Sequence, residues 1–161
     1  MFPNLIHYAI PFFVGFIILE IVLASYFKVK TYQLKDAASS IAMGLGNVFT
    51  GLVSKGIVYG AFVWVHQFAL FDLGYQWWVW VLAFFADDFS YYLFHRNSHN
   101  IRFFWASHVV HHSSQQYNLA TALRQTWTGN FTGSFIFWLW MPLLGFEPLM
   151  IVFLQSISLL Y

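Results

Sequence analysis

The sequence contains no cysteine among its 161 residues. Disulfide bonds, thiolate-ligated zinc, iron–sulfur clusters and thiol catalysis are therefore excluded together. Charged residues are also scarce, at 8%, and the formal net charge is only +1. A chain without a basic surface cannot neutralise a run of phosphates, so we expect no nucleic-acid partner. Any metal site in this chain must use nitrogen and oxygen ligands.

What the chain has in excess is apolar surface. Hydrophobic residues make up 60% of the sequence and aromatic residues 23%, and the mean hydropathy is +0.62. Soluble domains contain about 45–50% apolar residues, so this composition lies outside the soluble class. It predicts an integral membrane protein whose surroundings are the lipid bilayer.

Four apolar stretches organise the chain, over residues 5–27, 38–64, 77–94 and 131–161. The first has the length needed to cross a hydrocarbon layer of about 30 Å. Pro142, Gly145 and Pro148 divide the last into two shorter helices. In the second, Gly56 and Gly60 have the small-xxx-small spacing that lets helices approach closely. We predict an all-α membrane protein with about four to five transmembrane or re-entrant helices.

The few cations predict the orientation of these helices. Lys28, Lys30 and Lys35 lie in the loop after the first apolar stretch, whereas the loop after the second contains no Lys or Arg. Cytoplasmic loops carry the excess of positive residues. The more polar segment 95–130, which follows the third stretch, is therefore predicted to form a helical cap on the cytoplasmic side.

Five of the seven histidines fall within this cap. His95 and His99 are four residues apart and project from one helix face. His108, His111 and His112 have the spacing i, i+3 and i+4, which also places side chains on one helix face. Neutral imidazoles are ligands for zinc, copper, iron and nickel. Five exceed the four ligands of a tetrahedral zinc. The array predicts either two metals or one site that takes further ligands.

Three other polar residues are candidates to support these ligands. Asp88 lies seven residues before His95, about two helical turns away on nearly the same face, with Tyr92 between them. A carboxylate there is placed to accept the second ring N–H of a ligand histidine and to fix its tautomer. Asn118 follows the second histidine group, and we predict that it supports the site or contacts substrate.

Competing metal chemistries fit less well. The H-E-x-x-H motif of zinc proteases fails because Arg96 follows His95. A carboxylate-bridged di-iron bundle needs Glu-x-x-His pairs, and Glu20 and Glu147 are far from the cluster. A di-haem electron carrier remains an alternative, since His95–His108 and His99–His112 are both thirteen apart, although His7 and His66 would have to supply the other ligands. A noncatalytic membrane metal-binding or scaffold module with an incomplete site is the other alternative.

The motifs "DDFSYYLFHRNSH" and "HVVHHSS" resemble those of the fatty acid hydroxylase and sterol desaturase superfamily of membrane non-haem di-iron oxygenases. The extension "HHSSQQYNLATALRQ" is similar to the alkylglycerol monooxygenase-like branch, and the resemblance covers about residues 77–126. It implies that the five histidines bind two irons and are catalytic. With O2, such a site oxidises a lipid C–H bond, either by hydroxylation or by ether-cleaving monooxygenation.

The resemblance also implies partners and a longer protein. It implies a lipid substrate, an electron-donor protein as a candidate partner and tetrahydrobiopterin as a candidate reductant. The superfamily carries further histidines downstream, including another His-x-x-His-His box, and no histidine follows His112 in this sequence. We therefore expect residues 1–161 to be a single membrane domain that forms the N-terminal part of a longer fatty acid hydroxylase-type domain.

Overall fold

The computed structural model describes residues 5–158, with side chains from Ile10 onward, so the side chain of His7 lies outside the described residues. All regular structure in this range is helical, as the sequence predicts. Two 3₁₀ helices, Leu119–Leu123 and Ser134–Trp138, lie between α4 and α5. The six α-helices are α1 (Leu5–Tyr26), α2 (Leu34–His66), α3 (Trp77–Asn100), α4 (Arg102–His108), α5 (Trp140–Leu144) and α6 (Pro148–Ser158).

Large apolar side chains cover the outer faces of the first three helices. Phe12 on α1 and Phe49 and Leu52 on α2 are each more than 70% exposed. Extended apolar surface of this kind is unfavourable in water but matches the lipid hydrocarbon. Among the described residues, α2 is the one helix that is both long and apolar enough to cross a membrane by length and composition. The architecture fits a helical membrane protein.

The core forms where α5 and α6 pack against both α2 and α3. Gly145 ends α5 with a left-handed φ of 107°, and Pro148 begins α6, so the predicted division of the last apolar stretch is confirmed. A Cβ at Gly145 would lie 2.0 Å from the Phe71 carbonyl oxygen. Glycine therefore lets the α2–α3 loop lie against α5. The buried core residues are Val58, Phe62, Val79, Ala83, Trp138, Met141, Phe146, Met150, Ile151 and Leu154.

One carboxylate is buried beside this apolar core. Asp87 on α3 is 1% exposed and accepts hydrogen bonds from Trp138 Nε1 at 2.7 Å and from Ser158 Oγ at 2.5 Å. A buried polar group without partners costs free energy, and these two donors remove much of that cost. Asp87 thereby joins α3 to the second 3₁₀ helix and to α6.

The segment that follows the histidine boxes packs closely against α2. A Cβ at Gly46 would lie 2.0 Å from Cε2 of the Trp127 indole, and one at Gly44 would lie 3.1 Å from Leu123. The Trp127 indole is fixed there because its Nε1 donates to the Met43 carbonyl oxygen at 2.8 Å. The small-residue contact predicted at Gly56 and Gly60 is not made by the described residues, since a Cβ at either position would meet none of their atoms within 4 Å.

We predict opposite effects for two glycine-to-alanine changes on α2. Gly51→Ala meets nothing within 4 Å, so it should stabilise the fold by up to about 1 kcal/mol through helix propensity. Gly46→Ala should destabilise it by roughly 1–3 kcal/mol, because the methyl group overlaps the anchored indole of Trp127. Denaturant titration of helicity in detergent measures both, and a stabilising Gly46→Ala would contradict the packing described here.

Candidate metal centre

A sharp reversal between α3 and α4 builds the centre. Ile101, with φ −106° and ψ 117°, is the single extended residue between the two helices. Its N–H donates to the Asn97 carbonyl oxygen at 2.7 Å, and its own carbonyl oxygen accepts from the Trp105 N–H at 2.9 Å. One residue thus ends α3 and begins α4. The chain folds back at once, and the histidines of the two helices face each other.

Four imidazoles converge at this reversal. The Nε2 atoms of His95 and His99 lie 3.1 Å apart, and those of His108 and His112 lie 3.0 Å apart. The two pairs also meet across the helices, with ring centroids 4.8 Å apart for His99 and His108 and for His99 and His112. One nitrogen from each of the four rings lies within 4.8 Å of the others. The i, i+4 spacings and the helix reversal together create a compact set of nitrogen donors.

The electrostatics of the cluster favour neutral rings. Burial lowers the pKa of His108 to about 4, and the nearby charges of His95 and His112 act in the same direction. Burial also lowers the pKa of His112, as do the charges of His111 and His99. Neutral imidazole is the form that offers a lone pair to a metal. A nitrogen-only donor set of this kind fits iron, zinc or copper.

His111 is close to the cluster but is not one of its four converging nitrogens. Its ring centroid lies 5.3 Å from that of His112 and 5.9 Å from that of His108. Its Nδ1 faces the backbone carbonyl oxygen of Arg124 at 3.3 Å. A carbonyl oxygen can only accept, so this contact selects the tautomer with the proton on Nδ1 and leaves Nε2 as the lone-pair donor.

Aromatic residues contact the cluster on two sides, and sequence reasoning missed both. Trp105 on α4 stacks on His112 with an interplanar angle of 27° and a centroid distance of 5.8 Å, and it also contacts His99. The Tyr91 hydroxyl lies 3.4 Å from His95 Nδ1. Tyr91 is four residues before His95, so helix spacing alone would have found it.

The three predicted supporting residues lie elsewhere. Asp88 is exposed on α3, and the described residues contain no hydrogen bond between it and a histidine. The Tyr92 hydroxyl accepts from Arg96 Nη1 at 3.1 Å. Asn118 caps the first 3₁₀ helix and donates from Nδ2 to the Thr31 carbonyl oxygen at 2.7 Å. Their roles at the site stay predictions, while Tyr91, Phe94 and Trp105 are aromatic residues in contact with the rings.

The remaining feature of the site is a buried ion pair that the sequence did not reveal. Arg124 Nη2 lies 2.8 Å from Asp36 Oδ1, and this is the one salt bridge among the described residues. It joins the start of α2 to the segment after the second histidine group. The sequence separation of 88 residues gives no local signal for such a pair.

The segment that contains the two histidine boxes matches a known protein family. The fatty acid hydroxylase family model matches residues 80–161, a range that contains all five histidines. The chain belongs to the fatty acid hydroxylase family. No solved structure matches it.

This family member is similar to alkylglycerol monooxygenases. It is 38% identical to that of Homo sapiens over 149 residues, which cover 91% of this chain and 33% of the relative. It is 38% identical over 140 residues to that of Danio rerio, covering 84% of this chain and 31% of the relative. It is 30% identical over 138 residues to that of Xenopus tropicalis, with the same coverage. The chain spans about a third of the length of the curated relatives it matches.

The lowered pKa of His108 in this fatty acid hydroxylase chain predicts a loss of stability in acid. An unfolded chain protonates this ring near its ordinary pKa of 6.5, whereas the folded chain keeps it neutral down to about 4. The unfolded state therefore binds more protons between these values, and folding stability falls as the pH is lowered through this window.

Replacing His108 with Gln should remove part of that loss. Lowering the pH from 6.5 to 4 should lower the thermal unfolding midpoint of both metal-free proteins. We expect the drop to be about 2–4 °C smaller in His108→Gln than in the wild type. His66→Gln, which removes an imidazole outside the cluster, is the control and should keep the wild-type slope. Equal slopes in all three proteins would argue against a lowered pKa of His108.

Proposed function

We propose that this chain forms the histidine-box part of a membrane non-haem di-iron oxidoreductase that oxidises lipids with O2. The reaction is hydroxylation or ether-cleaving monooxygenation of a lipid C–H bond. The observation that carries the proposal is the convergence of four imidazoles, whose nitrogens lie within 4.8 Å of one another, in a chain of the fatty acid hydroxylase family. The similarity to proteins named alkylglycerol monooxygenase supports the lipid class of substrate.

The five histidines of the two boxes would hold the iron. When bound, iron would supply the redox capacity that O2 activation requires and that a redox-inert metal lacks. The chain's own part is to lower the pKa of His95, His108 and His112 through burial and to limit the motion of the rings. Trp105 does this by stacking on His112, and Tyr91 by placing its hydroxyl beside His95 Nδ1. Both contacts favour a fixed ring orientation, which metal sites depend on.

The proposed membrane arrangement follows from the helices and their charges. We propose that α1, α2 and α3 cross the bilayer and that α5 and α6 form a re-entrant pair, with residues 95–130 as the cytoplasmic cap. A lipid would then reach the histidines from the bilayer, and an electron-donor protein or tetrahydrobiopterin from the cytoplasm. A cavity of about 310 Å³, lined by His99, Asn100, Arg102 and Trp105, opens beside the cluster. Residues 1–161 would be the N-terminal part of a longer domain of this type.

The proposal predicts that His108→Ala abolishes both iron binding and lipid oxidation. His108 is one of the four converging ligands, so its loss should lower iron content well below one equivalent and turnover by at least about 100-fold. His66→Ala is the matched control and should retain both. Metal content by mass spectrometry and lipid-dependent O2 consumption, measured on the natural full-length protein in detergent with helicity as a folding check, test this.

Three outcomes would contradict the proposal. Turnover at the wild-type rate in His108→Ala would show that the cluster is not catalytic. A strong Soret band in the purified protein would favour the di-haem electron carrier. Wild-type protein that binds no metal would favour the noncatalytic scaffold.

A further inference from the structure

The Asp36–Arg124 ion pair holds the segment that begins directly after the second histidine box. Arg124 is 7% exposed, and its guanidinium donates to three residues: Asp36, Ser40 through Oγ at 3.1 Å and Ser113 through Oγ at 3.1 Å. Asp36 in turn accepts from Ser114 Oγ at 2.7 Å. Ser113 and Ser114 are the two residues that follow His112. The ion pair is therefore hydrogen-bonded to the chain directly after the second histidine box.

The same arginine also contacts the box through its backbone. Its carbonyl oxygen is the atom that faces His111 Nδ1 at 3.3 Å. The position of that carbonyl depends on where the side chain is anchored, since Nη2 bonds both the Asp36 carboxylate and the Asp36 carbonyl oxygen at the first turn of α2. Neither Asp36 nor Arg124 touches the four converging nitrogens. Their effect on the site must pass through His111 or the two serines.

We propose that Asp36 and Arg124 are positioning residues that fix the tautomer of His111, so that its Nε2 serves as the fifth nitrogen ligand of the centre. This inference rests on the metal binding proposed above. A free imidazole exchanges its proton between its two nitrogens, whereas one whose Nδ1–H is held by a carbonyl keeps Nε2 available. Partners of this kind raise metal affinity by roughly 10–100-fold. The ion pair supplies the rigidity that the backbone carbonyl needs to act in this way.

Cobalt(II) titration of the detergent-purified full chain, followed by visible absorption, tests the proposal. We expect Arg124→Gln to weaken the cobalt equivalent that uses His111 by roughly 10-fold or more. His111→Gln should weaken the same equivalent. The double variant should show no further loss, because the proposed route from Arg124 to the metal runs through His111 and not through the two serines, so the two effects are not additive. Lys30→Gln, which removes an exposed cation in the α1–α2 loop, is the control and should bind as the wild type does.

Two further variants separate positioning from general stability. Trp140→Phe removes a hydrogen bond to Ser90 away from the histidines and should lower the thermal midpoint without changing cobalt affinity. Asp36→Asn keeps the size of the side chain and removes its charge, so it reports on the pair if Arg124→Gln fails to fold. We expect Asp36→Asn to lower cobalt affinity, as Arg124→Gln does. Adding Asp36→Asn to His111→Gln should leave the cobalt affinity of His111→Gln unchanged.

The outcomes distinguish this inference from the proposed function. Cobalt binding by the wild type with unchanged binding in Arg124→Gln or Asp36→Asn would overturn the positioning role alone. Additive losses in the double variant would also overturn it, because Arg124 would then act by another route. A wild-type chain that binds no cobalt would overturn the metal centre and, with it, this inference.

Discussion

A buried ion pair in an apolar protein holds the cap together. Breaking such a pair by removing one partner is expensive, because it leaves a charge without compensation. Asp36 and Arg124 are also the first of several polar contacts that lay the segment after the histidine boxes along one face of α2. The others join Met43 to Trp127, Asn47 to the Thr126 carbonyl oxygen at 2.6 Å and Ser54 to Asn130 at 2.9 Å. Residues 36, 40, 43, 47 and 54 follow the 3.6-residue period of a helix, so α2 presents a polar stripe on an otherwise lipid-like helix.

The close approach of the histidine nitrogens is unfavourable when no ligand is bound, and this indicates what the cluster is for. Ring nitrogens 3.0–3.1 Å apart can share at most one proton per pair, and burial keeps His108 from gaining charge. His95 and His108 are half-buried and His99 and His112 are exposed, so these rings are not packed as an apolar core would be. Four imidazole nitrogens that converge on one point offer a shared set of donors to a metal. The cluster is therefore better explained by ligand binding than by packing.

The sequence predicts the local features of this structure well and the long-range ones poorly. Hydropathy places the first two helices within four residues of their observed ends, but it ends the third at residue 94, six residues before the end of α3 at Asn100, because the last turns of α3 are polar. Gly145 and Pro148 mark the division of the last stretch, because these signals act locally. The i, i+4 spacings likewise predict that His95 pairs with His99 and His108 with His112. The Asp36–Arg124 pair and the contact of Gly46 with Trp127 depend on which segments meet, and a single sequence does not encode that directly. The small-xxx-small spacing predicts a close contact at Gly56 and Gly60, but a Cβ at either position would meet none of the described atoms within 4 Å. The residues of α2 that do make the contact are polar or small residues nearer its start.

The four converging imidazoles and His111 are positioned by different contacts. The four converging imidazoles lie within 18 residues and are brought together by the reversal at Ile101, so their geometry depends mainly on α3, α4 and the turn that follows α4. His111 is held from outside, by a carbonyl whose position depends on a contact 88 residues away in sequence. A local cluster of this kind tolerates changes elsewhere in the fold, whereas the position of His111, the proposed fifth ligand, depends on how the segment after the boxes packs on α2. The contacts of α2 with that segment consequently reach the histidines through one backbone carbonyl group, that of Arg124.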